Sequence, residues 1–148
     1  MSDAALWSPN VARRDDANLT RFVECLAARR GLQFEDYASL HRWSIEQPDA
    51  FWFELAHFTD VRADWTDHPV LLDGDKMPGA QWFPGARLNF AENLLRFHDD
   101  HLALLATNER GQRRTLSYRQ LHAEVGRVAA GLRDAGVKPG DRVAAFLP

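Results

Sequence analysis

The spacing of apolar residues predicts three helices in the first part of the chain. Apolar side chains recur at helical intervals from Asn18 to Arg30, and Gly31 supplies a left-handed stop for that helix. A second helix is predicted over Asp36–Trp43. A third is predicted over Pro48–Thr59, where proline suits the first turn because no N–H is needed there. Residues 1–17 show no periodicity and are predicted to be extended.

The third predicted helix is aromatic around most of its circumference, so it should be covered on more than one side. The residues responsible are Phe51, Trp52, Phe53, Leu55 and Phe58. A connection with little periodicity follows from Val61 to Gly85, and proline–glycine and aspartate–glycine pairs mark its turns. Connections of this length inside a compact domain are typically functional or packed along a larger body.

The run WFPGARLNFAENLL, residues 82–95, ends this connection and begins a new helix. Asn89 is predicted to be the N-cap of that helix, with Glu92 three residues later completing a capping box. The residues predicted to form its buried face are Phe90, Leu94 and Phe97.

From Leu102 onward the pattern is typical of an α/β unit. LALLAT and QRRTLSY are predicted to be the strands of a hairpin, with NERG as the turn. Ser117 and Gln120 form a second capping box, and the helix they open is predicted to end at Gly136. The apolar face of that helix consists of Leu121, Val125, Val128, Ala129 and Leu132. After the turn VKPGD, the segment RVAAFLP is predicted to begin a buried strand.

The predicted fold class is therefore an α/β fragment. A helical N-terminal lead and strap come first, followed by a β-hairpin, one long helix and the first strand of an α/β sheet.

The composition narrows the range of partners. The 148 residues carry a formal net charge of −3, which gives no electrostatic reason to expect a nucleic acid or an anionic membrane as partner. No apolar run approaches the roughly 18 residues needed to span a bilayer. The N-terminus also lacks the basic start and apolar centre of a signal peptide.

Cys25 is the only cysteine in the sequence, so no intrachain disulfide can form and a reducing compartment is expected. It lies in the apolar stripe of the first predicted helix, where we expect it to be buried as a small hydrophobic side chain. That stripe consists of Leu19, Phe22, Val23 and Leu26. We therefore expect a cytoplasmic protein.

Three segments resemble functional motifs but fail on residue type or context. FHDDH, residues 97–101, offers imidazoles and carboxylates, but no second cluster has metal-ligand spacing. GRVAAG, residues 126–131, lacks the lysine and hydroxyl residue of a phosphate loop and lies in a predicted helix. DGDK, residues 73–76, lacks the later ligands of a calcium loop and is predicted to be a turn. The scattered histidines have no paired nucleophile, so no catalytic, cofactor-binding or metal-binding residue is predicted.

Several stretches resemble the N-terminal region of acetoacetyl-CoA synthetases, which belong to the adenylate-forming acyl-CoA synthetase superfamily. They are LWSPN, YASLHRWSIEQPDAFWFELAHFTDV and MPGAQWFPGARLNFAENLLR. RRTLSYRQLHAEVGRVAAGLRDAGVKPGDRVAAFLP is similar to the opening of the large AMP-binding domain of that superfamily. The resemblance covers nearly the whole chain from Leu6 onward, and WFPGARLNFAENLL is specific for the short-chain acyl and acetoacetyl subgroup.

The resemblance implies a ligase with two chemical steps. A carboxylate first attacks ATP to give an acyl-adenylate and pyrophosphate, and the thiol of CoA then displaces AMP. ATP, Mg²⁺ and CoA are thus implied for the intact enzyme, with acetoacetate or another short-chain acid as substrate. The family's phosphate loop, catalytic lysine and CoA-contacting residues lie beyond the GDRVAAFLP segment. This chain alone is therefore expected to bind none of these molecules and to be inactive.

The resemblance also implies a structural role for part of the chain, because the matching residues look like a strap that packs on the large domain. The residues that match this N-terminal signature are Trp82, Phe83, Gly85, Leu88, Asn89 and Asn93.

The implied domain organisation has three parts. Residues 1–37 are an N-terminal extension with one helix, residues 38–96 an acetyl-CoA-synthetase-type N-terminal domain, and residues 97–148 the beginning of the AMP-binding domain. The expected partners are the remainder of that domain and small-molecule substrates, without nucleic acid or membrane. Because RVAAFLP stops within an apolar strand with an unpaired edge, we expect a truncated N-terminal piece. The alternative is a free-standing interaction module that keeps the fold of this region.

Overall fold

The computed structural model describes residues 7–146, and the chain separates into two compact units between Leu88 and Asn89. The described part contains helices and two small antiparallel sheets of two strands each, which confirms the predicted mixed α/β class. The first unit contains α1 Val11–Asp15, α2 Asn18–Arg30, α3 Tyr37–Glu46, α4 Pro48–Phe58, β1 Leu71–Leu72 and β2 Gln81–Trp82. The second contains α5 Phe90–Leu94, β3 Leu102–Thr107, β4 Arg113–Ser117 and α6 Tyr118–Asp134.

The short helix α1 lies in a region that was predicted to be extended. Asn10 Oδ1 accepts a hydrogen bond from Arg13 N at 2.8 Å and so caps the helix. A side-chain cap of this kind can start a single turn without any apolar periodicity, so the prediction is wrong over α1. Residues 1–6, which belong to the same predicted segment, lie outside the described residues.

The next three helices confirm the prediction. α2 covers its predicted range, and Gly31 ends it with a φ of 67°. α3 begins after the capping box of Asp36 and Ser39, in which Ser39 N donates to Asp36 Oδ1 at 2.8 Å. It continues to Glu46, slightly beyond the predicted end. α4 starts at Pro48, in the first-turn position that tolerates proline.

The core of the first unit lies between α2, α3 and α4. Its buried hydrophobic residues are Phe22, Leu26, Leu40 and Trp43. The Phe22 ring centroid lies 5.1 Å from that of Phe58 and 6.0 Å from that of Phe51, which fixes α2 against α4. Cys25 is only partly buried, so its predicted burial is wrong. It lies at the edge of the stripe because Phe22 and Leu26 occupy the centre.

Glu54 on α4 is a buried carboxylate, with only 2% of the residue exposed. Its Oε2 accepts a hydrogen bond from Arg29 Nε at 2.9 Å, and its Oε1 accepts one from Arg30 Nε at 2.6 Å. Both arginines lie in the last turn of α2, where positive charge also interacts favourably with the helix dipole. These three residues, below called the Glu54 clamp, give the buried charge the pairing that burial demands.

The Glu54 clamp makes the stability of the first unit depend on pH. Burial alone would raise the pKa of Glu54, but hydrogen bonds from Arg30 and Arg29 outweigh it and lower the pKa below its ordinary value of 4.5. Such a carboxylate contributes stability above its unfolded pKa, and that contribution is lost as the pH falls through the folded pKa.

We therefore expect the urea midpoint of the first unit to be steady above about pH 5 and to fall below it. Glu54→Gln should lower the midpoint at pH 7, because two arginines then face a neutral buried amide, and should remove part of the fall at acid pH. Equal acid dependence in the wild type and the variant would show that Glu54 is not responsible.

The connection over residues 61–88 is ordered by short backbone pairings. β1 and β2 pair antiparallel with Leu71 opposite Trp82. Asp64 and Arg87 form an isolated bridge, with Asp64 N donating to Arg87 O at 2.7 Å and Arg87 N donating to Asp64 O at 3.2 Å. β1 and β2 have only two residues each, which is too short for an alternating apolar pattern to predict either strand from the sequence.

α5 opens the second unit with the predicted cap, since Asn89 Oδ1 accepts a hydrogen bond from Glu92 N at 3.2 Å. The predicted buried face is wrong, because the exposed fractions are 71% for Phe90, 57% for Leu94 and 46% for Phe97. A helix of five residues buries apolar side chains only where another element lies over them. Within the second unit the Tyr118 ring meets Phe97 at 5.3 Å between centroids, which still leaves this face largely exposed.

β3 and β4 form the predicted hairpin, with a register irregularity between Leu102 and Leu104. α6 starts at the predicted capping box, where Gln120 N donates to Ser117 Oγ at 3.3 Å and Ser117 N donates to Gln120 Oε1 at 2.9 Å. α6 packs on both strands. None of the described residues of this unit is fully buried, and Val128 on the apolar face of α6 is 61% exposed.

The segment after α6 differs from the prediction. Gly136 follows the helix with a φ of 85°, but residues 142–146 form no strand. Val143 is 64% and Phe146 104% exposed, so the prediction of a buried strand is wrong for these residues. Residues 147 and 148 lie outside the described part. A strand is stable only where a neighbour takes up its N–H and C=O groups, and no described strand lies beside this segment.

Candidate functional site

The strap, residues 82–95, is divided between the two units, because the boundary lies after Leu88. Its first half, residues 82–88, closes the connection of the first unit. Its second half contains α5. The first half takes part in an aromatic cluster, which makes it the best-defined candidate site in the described residues.

Trp82 links the strap to α4. Its backbone lies in β2, and its ring meets that of Trp52 on α4 edge-on, with centroids 5.9 Å apart and planes at 69°. Edge-to-face pairs at this separation are attractive beyond their buried area. Both rings are nonetheless about half exposed, 44% for Trp82 and 45% for Trp52, so each keeps a free apolar face.

Phe83 extends this cluster towards the connection. Its N–H donates to Val70 O at 2.7 Å while its φ is 44°, an uncommon left-handed conformation for a bulky residue. Its ring lies 5.3 Å from Trp65, which in turn stacks on His57 of α4 at 5.8 Å. The backbone pairing and these ring contacts together hold the strap on α4.

Gly85 is the position in the strap that only glycine fits well. Its φ is 80°, and a Cβ there would lie 3.4 Å from His68 Cδ2 and from Thr66 Cγ2. Thr66 Oγ1 donates to Pro84 O at 3.0 Å and so holds the same turn. The match of this glycine to the signature therefore has a physical reason in this chain.

An apolar groove of about 380 Å³ lies between α4, the connection and the first half of the strap. Its walls are aromatic and aliphatic apart from Thr59 and the tryptophan N–H groups. The lining residues are Trp52, Leu55, Ala56, Thr59, Val61, Ala63, Trp65, Trp82, Phe83, Ala86 and Leu88. None of these side chains is an acid, a base or an activated nucleophile. The groove can hold apolar groups, but it has no means of proton transfer or nucleophilic attack.

The remaining signature residues lie in the second unit and serve helix initiation. Asn89 caps α5, and Asn93 Nδ2 donates to Asn89 O at 3.0 Å. The signature thus combines aromatic packing in the first unit with helix capping in the second.

The FHDDH segment forms local ion pairs on the surface of the second unit. Asp99 Oδ2 lies 3.1 Å from His101 Nδ1, and hydrogen bonds from His101 lower the pKa of Asp99. Asp100 Oδ1 accepts a hydrogen bond from Arg119 Nε at 2.9 Å. Across residues 7–146, no group of three or more histidine, cysteine, aspartate or glutamate side chains is placed to share a metal ion.

The two other motif-like segments have ordinary structural roles. DGDK is the predicted turn, in which Lys76 N donates to Asp73 O at 3.0 Å and Lys76 Nζ pairs with Asp73 Oδ1 at 3.0 Å. The GRVAAG glycines lie inside α6, as predicted from the helical pattern around them. In the described part of the chain, no helix is both long and apolar enough to cross a bilayer.

Comparison with known proteins identifies two family regions in this chain. Residues 37–94 match the family described as acetyl-coenzyme A synthetase N-terminus, and residues 90–148 match the family of AMP-binding enzymes. The junction of the two matches falls within the strap.

Curated relatives extend this similarity over the whole chain. Acetoacetyl-coenzyme A synthetase of Rhizobium meliloti is 36% identical over 147 residues, which is 99% of this chain and 22% of the relative. Acetoacetyl-CoA synthetase of Macaca fascicularis is 33% identical over 146 residues, 97% of this chain and 21% of the relative. Malonamoyl-CoA synthetase of Penicillium aethiopicum is 32% identical over 149 residues, 96% of this chain and 20% of the relative.

Both family matches point to the same class of proteins, the AMP-binding enzymes that include the acyl-CoA synthetases. The chain is similar over nearly its whole length to the N-terminal region of acetoacetyl-CoA synthetases. It spans about a fifth of the length of the curated relatives it matches.

The sequence did not reveal which residues meet the strap. Trp52 and Trp65 lie 30 and 17 positions before Trp82 in the sequence, and no periodic pattern connects them with it. The sequence did contain one signal for this contact. α4 carries more aromatic residues than the core requires, and the extra ones lie on its outer face.

Proposed function

We propose that this chain is the N-terminal part of an acid–thiol ligase that converts acetoacetate, ATP and CoA into acetoacetyl-CoA, AMP and pyrophosphate through an acyl-adenylate. The observation that carries this proposal is the similarity to acetoacetyl-CoA synthetases of bacteria and animals over nearly all of the chain. The lone cysteine, which excludes an intrachain disulfide, supports the cytoplasm as its compartment.

The chemistry is assigned to residues outside this chain. ATP, Mg²⁺ and CoA are implied for the whole enzyme, in which Mg²⁺ would counter charge on the phosphates. Within residues 7–146 no group of three or more histidine, cysteine, aspartate or glutamate side chains is placed to share a metal ion, and we assign Mg²⁺ no ligand in this chain. Nor does any described side chain with a shifted pKa line the groove. No catalytic step is therefore given to a residue of this chain.

We give the chain a structural role in which its exposed apolar faces pack on the remainder of the AMP-binding domain. The half-exposed tryptophans of the groove support this role, as do the exposed residues of α5 and α6 in the second unit. Apolar areas of this kind on one protein usually mark contact surfaces. The proposal includes the division into an N-terminal extension up to residue 37, an N-terminal domain up to residue 96, and the beginning of the AMP-binding domain after it.

The proposed role predicts that the 148-residue chain alone has no adenylating activity. With acetoacetate, ATP and Mg²⁺, exchange of labelled pyrophosphate into ATP should equal that of a blank without protein. The Rhizobium meliloti relative serves as positive control. Exchange above the blank that scales with the concentration of the chain would refute the structural role.

A chimera tests the proposed function itself. This chain replaces the matching 147-residue region of the Rhizobium meliloti acetoacetyl-CoA synthetase, and acetoacetyl-CoA and AMP formation are measured. We expect both products. A folded, monodisperse chimera that forms neither would count against the assignment and in favour of a free-standing interaction module.

One relative supports malonamic acid as an alternative substrate. The malonamoyl-CoA synthetase is nearly as similar to this chain as the animal acetoacetyl-CoA synthetases are. A second chimera carries this chain in front of the Penicillium aethiopicum body and is assayed with malonamic acid. We expect the acetoacetyl chimera to retain the larger fraction of its parent's activity. The opposite order would favour the second acid.

A further inference from the structure

The two sides of α4 have different neighbours. One side carries Phe51, Glu54 and Phe58, which meet α2 through the core and through the Glu54 clamp. The other side carries Trp52 and Ala56, which line the apolar groove. α4 is thus a shared wall between the helical core and the groove.

Helix geometry ties these two sides together. Each residue turns an α-helix by about 100°, so Trp52 and Ala56, two positions before and after Glu54, lie about 160° away from it on the opposite side. Any rotation of α4 about its axis that moves Glu54 therefore moves Trp52 and Ala56, which line the groove, through the same angle. The edge-on contact of Trp52 with Trp82 would be the first to change.

The clamp is suited to preventing such a rotation. Each oxygen of Glu54 is held by a different arginine, at 2.9 Å and 2.6 Å, and the carboxylate is 2% exposed. A buried charge held at both oxygens has one favourable position, because losing either partner leaves one buried oxygen without its hydrogen-bond donor. Arg29 and Arg30 belong to α2, which precedes residue 37, where the first family match begins.

We propose that α2 is a positioning element for the groove, and that Arg29 and Arg30 are positioning residues that set the rotation of α4 through Glu54. The contribution of residues 7–36 is then to shape the surface formed by residues 52–88. The consequence for the ligase rests on the proposed function, whereas the geometry can be tested in this chain without any activity.

The test uses the full chain labelled with 5-fluorotryptophan, whose resonances are assigned by tryptophan-to-phenylalanine variants. Glu54→Gln is compared with the wild type by ¹⁹F NMR well below its melting temperature. We expect the native-state resonances of Trp52 and Trp82 to shift or broaden, while that of the 66%-exposed Trp7 stays in place. A clamp that only adds stability would lower the melting temperature and leave these native-state resonances unchanged.

Further variants keep the proposal falsifiable. Arg29→Gln retains one arginine and serves if Glu54→Gln does not fold, and Arg29→Lys should restore part of the wild-type spectrum. Asp16→Asn removes the exposed pair of Asp16 with Arg21 and should change neither resonance. Unchanged Trp52 and Trp82 resonances in a folded clamp variant would overturn the proposal. Activity of the chimera has no bearing on this result, so the two proposals fail separately.

Discussion

Replacing Leu26 by alanine is expected to remove a large part of the stability of the first unit at 25 °C. Leu26 is 0% exposed and packs with Phe22, Leu40 and Trp43 in the core. Truncating a buried leucine costs about 2 to 5 kcal/mol, because the transfer energy of the lost methyl groups adds to that of the remaining cavity. The net stability of small domains is only about 5 to 15 kcal/mol, and a core of this size belongs at the low end.

The measurement is urea unfolding followed by circular dichroism and tryptophan fluorescence. Leu19→Ala provides the matched control, since Leu19 lies on the same helix but is 48% exposed, and its loss should cost about 1 kcal/mol or less. Equal losses for the two variants would mean that α2 is not docked as the structure has it.

The second unit is expected to exchange its amide hydrogens far faster than the first. None of its described residues is fully buried, so the hydrogen bonds of α6 and of the hairpin gain little protection from packing. α6 packs on both strands of the hairpin, but because no described residue of this small unit is buried, that packing adds little to elements that are weakly stable by themselves. We expect protection of about tenfold or less in α6 and at least a hundredfold more in α2.

Hydrogen exchange with mass spectrometry measures this difference, and the chimera supplies the comparison. Once the remaining part of a relative follows this chain, α6 should gain protection, because the proposed partner then covers Val128 and its neighbours. Strong protection of α6 in the isolated chain would instead favour the free-standing module. If α6 gained no protection in an active chimera, the proposed packing surface would be wrong.

The sequence predicted the ends of those helices that carry their own capping or terminating residues. Gly31 ends α2, Pro48 opens α4, and the Ser117–Gln120 capping box opens α6 where the sequence predicts them. These features act through backbone conformation and nearby hydrogen bonds, so they do not depend on distant parts of the chain.

Predictions failed where an element depends on a neighbour. The apolar pattern of α5 predicted burial, and that of residues 142–146 predicted a strand, but both need cover or pairing that the described residues do not supply. Apolar periodicity shows that a face needs a partner without showing which partner meets it. The groove was missed for a related reason, since Trp52, Trp65 and Trp82 meet only through the short pairings of the connection.

The proposed function is tested most directly by the rate of acetoacetyl-CoA formation by the chimera of this chain with the Rhizobium meliloti body. The relative's body expressed without its matching N-terminal region serves as the control. We expect a rate within about tenfold of the parent, because this chain supplies packing rather than catalytic groups, and little or no product from the control. A folded chimera that is as inactive as the control would contradict the assignment of this chain to such a ligase.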